Sequence, residues 1–273
     1  MNIKKERLDK ILVEKGMTSS RARAQALILA GKVFVDGARS DKAGSMVKPE
    51  ADIIVRDDST GWVSRGALKL LKALNQFHLS PKDRVCLDIG ASTGGFTEVL
   101  LARGAKKVYA VDVGYGQLAW KLRQNPRVIV MERTNARYLL PDDFPELIEF
   151  LTVDASFISL RILLLALVPL ISDNAEMVLL LKPQFEAGRE NIGKRGVVKD
   201  PEVHVKVIME IFSFVEKKLP EISISGVDFS PVTGPKGNIE FLVNLHRGQC
   251  DEKGQMDLCK IRNMVYEAHE TLL

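Results

Sequence analysis

The sequence predicts an α/β protein, a mostly parallel, doubly wound sheet preceded by a small α+β domain. Three observations predict it. From residue 84 onward, short apolar runs of strand length alternate with helical patterns, which is the order a parallel sheet requires. One of these strands runs into a glycine-rich turn, and Asp88, Asp112, Asp154 and Lys182 fall at or near the carboxyl ends of four strands, where such sheets bind ligands. Ahead of them, two short helical patterns and a hairpin signal share a stretch with a basic excess.

At 273 residues and 46% hydrophobic, the chain is long enough for one large or two smaller domains with a proper core, which excludes disorder. The net charge of +4 is too small to name a nucleic-acid partner, although most of the excess lies between Met1 and Thr60. Cys86, Cys250 and Cys259 are too few and too scattered for a disulfide framework or a zinc site, so a reducing compartment and no metal are expected. The charged N-terminus lacks an apolar segment of signal-peptide length. The most apolar run, Ile162 to Ile171, is interrupted by Pro169 and is too short to span a bilayer. A soluble cytoplasmic protein is expected.

In chain order, Leu8, Ile11 and Leu12 followed by Lys15-Gly16 make a short amphipathic helix with a glycine stop. Ser19 or Ser20 can cap a second helix, with Arg21 and Arg23 in its first turns, Ala26, Leu27 and Leu29 on its apolar positions, and Gly31 at its end. Lys32 to Val35 reads as a strand, Asp36-Gly37 as a hairpin turn, and Ile53 to Val55 as a further strand. The expected domains are 1–60 and 64–273, joined at 61–63. Ser64 then caps a helix in which Arg65 and Lys69 share a face while Leu68, Leu71 and Leu74 supply apolar positions.

Val85 to Ile89 is the strand on which the second domain is organised. Asp88, Gly90, Gly94 and Gly95 follow in the order Asp-x-Gly-x-x-x-Gly-Gly, and Phe96 to Leu101 resumes a helix. Glycines are needed where a ligand approaches the backbone closely, and a helix N-terminus offers unpaired amides. A dinucleotide fingerprint would place its second glycine at Ser92. With the next strand, Lys107 to Val111, ending in Asp112, the pattern suits S-adenosylmethionine better than NAD.

Further strands are expected at Val128 to Glu132, Phe150 to Val153, Met177 to Leu181, Ile222 to Phe229 and Asn238 to Val243. Helices are expected after Leu118, from Ser159 to Ile171, from His204 to Leu219 and from Met256 onward. The loop between Pro183 and Pro201, with Arg189, Lys194, Arg195 and Lys199, is long enough to expect function, read here as a mobile basic segment that closes over RNA.

Two small helices followed by Gly-Lys-Val-Phe-Val-Asp-Gly resemble the ribosomal protein S-four type of RNA-binding domain. The whole chain resembles the TlyA family of ribosomal RNA 2′-O-methyltransferases, in which such a domain precedes an FtsJ-like methyltransferase domain. The segments that carry the likeness are Ser-Arg-Gly-Ala-Leu-Lys-Leu ending at Leu70, the Asp88 to Phe96 loop, Val-Asp-Val-Gly-Tyr-Gly-Gln-Leu ending at Leu118 and Asp-Ala-Ser-Phe-Ile-Ser-Leu ending at Leu160. Lys-Pro-Gln-Phe-Glu ending at Glu186 and Gly-Pro-Lys-Gly-Asn-Ile-Glu-Phe ending at Phe241 complete them.

The resemblance implies a Rossmann-like class I methyltransferase fold, S-adenosyl-L-methionine as cofactor, and ribosomal RNA or ribosomal subunits as partner, with a cytidine ribose as target. It implies a catalytic tetrad of Lys69, Asp154, Lys182 and Glu240. Lys182 would be the base or alkoxide stabiliser, its pKa lowered by burial and by Lys69, with Asp154 as its orienter and Lys69 with Glu240 positioning the ribose. Cofactor contacts would come from Asp88, Gly90, Ala91, Ser92, Gly94, Phe96, Asp112, Val113, Asn135 and Asp154. Of these, Asp112 would meet the ribose and Asn135 the adenine edge, where related enzymes often have Asp. RNA contacts would come from Arg7, Arg21, Arg23 and Lys32 in the first domain and from Arg65, Arg189, Lys194 and Arg195 in the second. The terminal helix beyond Gln255 resembles the branch of the family with two targets.

Other chemistries fit less well. Methylation of base amino groups calls for prolines after the fourth strand, where Asp154-Ala155-Ser156-Phe157 has none, and pyrimidine C5 methylation needs a cysteine that is absent there. The alternatives are a membrane-active protein, because the family also carries a haemolysin label, and a ribosome-binding assembly factor without catalysis.

Overall fold

The computed structural model describes residues 5–18, 20–29, 31–55, 61–248 and 257–273, without the side chain of Arg23. Ser19, Cys250 and Met256 lie outside them. The chain divides into two compact units, residues 1–59 and 60–273.

In the first unit, β1 (Glu6–Arg7) leads into α1 (Leu8–Glu14), and α2 (Arg21–Leu29) follows. The strands β2 (Val33–Val35), β3 (Ala38–Ser40) and β5 (Ile53–Val55) form an antiparallel sheet in the order β3-β2-β5, while β4 (Met46–Val47) pairs with β1. Asp36 and Gly37 both have positive φ, 50° and 79°, which is the conformation a two-residue hairpin turn of matching twist needs. Leu8, Ile11, Leu12, Leu27, Ile28 and Val33 are buried together. Asp9 is buried beside them and accepts from Arg7, Arg21 and Gln25 at 2.8 to 3.0 Å. The guanidinium groups hold its carboxyl well below the usual carboxylate range.

The second unit is built on a seven-stranded sheet. Its strands are β6 (Val85–Ile89), β7 (Lys107–Val111), β8 (Val128–Met131), β9 (Ile148–Val153), β10 (Ile171–Leu181), β11 (Ile222–Phe229) and β12 (Phe241–Arg247). They lie in the order β11-β12-β10-β9-β6-β7-β8, with β12 antiparallel to both neighbours and every other pairing parallel. Successive strand residues point to opposite faces. Leu87, Val111, Leu151 and Leu179 therefore join one core with α6 (Leu160–Leu167), α7 (Pro201–Lys218) and α8 (Leu258–Leu272). Cys86, Val108, Phe150 and Val178 join the other with α3 (Ala67–Gln76), α4 (Gly95–Ala102) and α5 (Trp120–Arg123). A sheet buried on both faces explains why β6 reads as a continuous apolar run broken only by Asp88.

Several boundaries differ from expectation. The helix from Ser159 stops at Leu167, because Pro169 forces a 3₁₀ turn, and Ile171 already pairs with Ile148 as the start of β10. Asp173 and Asn174 are exposed at a register shift in that strand, so their polarity imitates a loop. The last strand begins at Phe241 rather than Asn238, and the helix expected after Leu118 has four residues. Among the described residues, no helix is long and apolar enough to cross a membrane.

Candidate active site

Four strand ends bring expected site residues to one edge of the sheet. Asp112 follows β7, Asp154 follows β9 and Lys182 follows β10. Because β12 runs against β10 with Phe241 opposite Leu181, Glu240 arrives at the same edge from the opposite chain direction. Lys69 comes from the first turn of α3.

These side chains form one continuous ionic chain. Lys69 Nζ lies 2.6 Å from Glu240 Oε2 and 3.7 Å from Asp154 Oδ2. Lys182 Nζ lies 2.6 Å from Asp154 Oδ1 and donates to Ser156 Oγ at 3.0 Å. Asp154 thus stands between two ammonium groups. Lys69 and Lys182 are each 7% exposed and Glu240 1%, so water screens these contacts weakly. Two cations and two carboxylates in one buried cluster balance formally, which buried charges require.

The glycines of the loop after β6 explain how the strands come so close. Gly90 has φ +81°, and a Cβ there would stand 2.6 Å from the Asp154 carbonyl oxygen. Only glycine leaves room for that backbone. Asp154 N in turn donates to Ile89 O at 2.9 Å, which ties the β9 end to the loop.

A cavity of about 670 Å³ opens along this edge, lined by Gly90, Ser92, Asp112, Val113, Asn135, Asp154 and Ser156, with Ile158, Ile162 and Leu163 on an apolar wall. A smaller one of about 190 Å³ is lined by Arg65, Lys69, Gly90, Ala91, Phe96, Asp154 and Pro235. Asp154 borders both. Lys182 borders neither directly; it reaches them through Asp154 and Ser156. Asp112 braces the larger cavity, accepting from Ser92 N at 2.8 Å and from Gly114 N at 2.7 Å. Asn135 Oδ1 accepts from Arg137 N at 3.1 Å, so it caps a 3₁₀ turn at the cavity wall.

Several expected residues take other places. Asp88 is fully buried beneath the loop, where Thr97 donates to it at 2.6 Å and Thr152 at 3.0 Å, and it lines neither cavity. Burial pushes its carboxyl up to about 6 against the pull of those hydrogen bonds. Gly94 also lies off both cavities, packed so that a Cβ would strike Leu122 and Leu118. Phe96 and Ala91 face the smaller cavity only. Arg65, Arg189, Lys194 and Arg195 are exposed, while Arg7 and Arg21 are occupied in part by Asp9. Arg23 lies outside the described side chains, and Lys32 is partly buried.

The basic loop expected to be mobile is instead built into the fold. It contains 3₁₀ turns at Pro183–Phe185 and Arg189–Asn191, Val198 is buried, and Asn238 bonds to its backbone. Ser156 and Thr134 escaped the sequence reading as site residues. Ser156 stands within the Asp-Ala-Ser-Phe segment, two positions from Asp154, which is the one signal that points to it. Among the described residues, no cluster of three or more His, Cys, Asp or Glu side chains is arranged to hold a metal ion.

Comparison with known proteins agrees with this fold and its division into two units. The FtsJ-like methyltransferase family model matches residues 62–247, and the S4 domain model matches residues 6–53. The 16S/23S rRNA (cytidine-2′-O)-methyltransferase TlyA of Mycobacterium tuberculosis is 46% identical over 91% of this chain and 92% of its own length. Hemolysin A of Brachyspira hyodysenteriae is 40% identical over 87% of this chain and 98% of its own. A solved structure from Streptococcus thermophilus that carries a haemolysin label aligns with a TM-score of 0.75 and 43% identity, covering 98% of this chain and 97% of that one.

Proposed function

The chain belongs to the TlyA family of FtsJ-like methyltransferases, and from that premise we propose that it methylates the 2′-oxygen of a cytidine ribose in ribosomal RNA, using S-adenosyl-L-methionine. The observation that carries the reading is the Asp154 carboxylate, held between two buried lysines on the wall shared by the two cavities.

The larger cavity suits the cofactor by the chemistry of its donors and acceptors. Each Asp112 oxygen spends one lone pair on a backbone amide and keeps another for a ribose hydroxyl. Ile158, Ile162 and Leu163 offer an apolar wall for a flat base, with Asn135 at its polar edge. Gly90 and Ser92 bring backbone to the end nearest Asp154. When bound there, the cofactor supplies an electrophilic methyl group on a sulfonium centre, whose positive charge the Asp154 carboxylate attracts.

The remaining steps belong to this chain's side chains. A ribose 2′-hydroxyl is a poor nucleophile until its proton leaves. Lys182, oriented by Asp154 and Ser156, stabilises the alkoxide as it forms while it is an ammonium, or takes that proton once it has first lost one of its own to solvent. Lys69 lines the smaller cavity, and its pairing with Glu240 holds it toward the acceptor ribose. Close, aligned approach of donor and acceptor supplies much of the rate. The S4 domain, through Arg7, Arg21, Arg23 and Lys32, and the second domain, through Arg65, Arg189, Lys194 and Arg195, contact RNA phosphates, in the cytoplasm where ribosomal subunits are found.

The test is transfer of labelled methyl from S-adenosylmethionine to separated small subunits, large subunits and naked ribosomal RNA, with Lys182→Ala alongside. Label that maps to a ribose and disappears in the variant, with cofactor binding retained, supports the reading and identifies the subunit. Label that persists in the variant removes Lys182 from the mechanism. Cofactor binding with no label on any RNA overturns the RNA assignment.

A further inference from the structure

The turn that delivers Glu240 also carries Asn238, whose side chain has no part in the chemistry described above. Asn238 is 3% exposed. Its Oδ1 accepts from Val198 N at 3.0 Å and its Nδ2 donates to Gly196 O at 2.9 Å, so one side-chain amide holds two backbone groups of the neighbouring loop as a strand partner would. That loop is itself a closed turn, with Gly193 N donating to Val197 O at 3.0 Å and Gly196 N donating to Gly193 O at 2.8 Å. Its tip presents Lys194 and Arg195 to solvent. On the other side of the staple, Lys236 is exposed, and a Cβ at Gly196 would stand 3.7 Å from its Nζ. The residue before it, Pro235, lines the smaller cavity together with Arg65 and Lys69.

We propose that Asn238 is a positioning residue that locks Lys194, Arg195 and Lys236 into one rigid basic ledge beside the smaller cavity, where the ledge takes the phosphates of the RNA strand flanking the target ribose. The inference rests on the RNA reading above. A fixed ledge explains why a loop with four cations is hydrogen-bonded into the fold: lysine and arginine held in place lose less freedom when a phosphate arrives. It also places Glu240 and Asn238, which holds the ledge, on the same three-residue stretch, so the ribose-positioning pair and the phosphate contacts share one support. Phosphate contacts of this kind are independent of base sequence and weaken with salt.

The test uses the full chain. In Asn238→Asp the acceptor for Val198 N remains but the donor is replaced by an oxygen facing Gly196 O, so the staple opens with little change in volume. The expected result is that trypsin cuts after Lys194 or Arg195 about tenfold faster than in the wild type. KM for the methylated subunit rises about tenfold, the effect of losing one charge-assisted contact, while kcat and cofactor affinity stay within about twofold. Lys236→Gln should raise KM in the same way without altering the rate of proteolysis, and should reduce the salt dependence of binding.

A freed loop with unchanged KM overturns the proposal, as does a loop that remains resistant to trypsin. A fall in kcat and cofactor affinity along with the rise in KM would show that Asn238 only supports Glu240. If the wild type methylates neither subunit, sedimentation binding to subunits decides the matter. Weaker binding by both variants keeps the ledge without the enzyme, and wild-type binding by both removes it.

Discussion

Lys69 and Glu240 lie 171 residues apart in the chain, and their charged groups meet at 2.6 Å with both side chains nearly closed to water. A buried ion pair is expensive to break from one side, because the remaining charge keeps its desolvation cost and loses its partner. Glu240→Ala should therefore destabilise the protein by about 3 kcal/mol, read as a lower urea midpoint. Glu240→Gln, which keeps an acceptor for Lys69, should lose less. Equal midpoints for wild type and Glu240→Ala would show that the pair contributes nothing to the fold.

At Gly90 an added methyl group would meet backbone, which cannot swing aside as a side chain can. The Gly90 φ of +81° strains any other residue, and the added Cβ would stand 2.6 Å from the Asp154 carbonyl oxygen. Gly90→Ala should cost about 2 kcal/mol or more. By displacing Asp154 it should also reduce methyl transfer by about a hundredfold, the scale of a 1 Å misplacement. Thermal unfolding and single-turnover transfer measure the two effects, and wild-type transfer in the variant would mean that the Asp154 backbone can move without consequence.

Asp88 gives stability an unusual pH dependence. Its carboxyl is raised by burial to about 6, above the ordinary value near 3.9. The folded state therefore favours the protonated form, and the stability that this form contributes is complete below pH ~3.9 and lost as pH rises through about 6. Asp88→Asn, which cannot ionise, should gain on the wild type by on the order of 2 kcal/mol between pH 4.5 and pH 8. Urea unfolding of both proteins at the two pH values tests this; a difference that stays constant with pH would count against it.

The terminal helix carries the opposite sign. His204 on α7 lies 2.9 Å from His269 Nε2 on α8 through its Nδ1, with the Phe241 ring packed edge-on and Asp200 nearby. Burial, with His269 adding to it, lowers His204 to about 4, so the neutral ring is favoured in the folded state. The stability it contributes is present above the ordinary value of about 6.5 and is lost as pH falls toward 4. Amide exchange in α8 should accelerate over that range in the wild type and less steeply in His204→Gln. Identical pH profiles for the two would assign the effect elsewhere.

Read alone, the sequence determined the α/β alternation, the hairpin at Asp36-Gly37, the strands Val85–Ile89, Lys107–Val111 and Ile222–Phe229, and the glycine loop. Each is encoded by residues near one another in the chain, through apolar period, turn conformation or backbone freedom. The four tetrad positions were legible only through resemblance, since a lone Lys69 or Glu240 has no local signature. Tertiary structure decided what those residues do to one another. The reversed direction of β12 brings Glu240 to the carboxyl edge of its neighbours, and Asp154 thereby comes to bridge two lysines. It also removed Asp88 and Gly94 from the cavity, lengthened β10 through a polar bulge, and fixed the basic loop through Asn238. The physical reason is common to all of these. Burial, strand direction and pairing between distant residues are properties of neighbours in space, and the one-dimensional pattern records only neighbours along the chain.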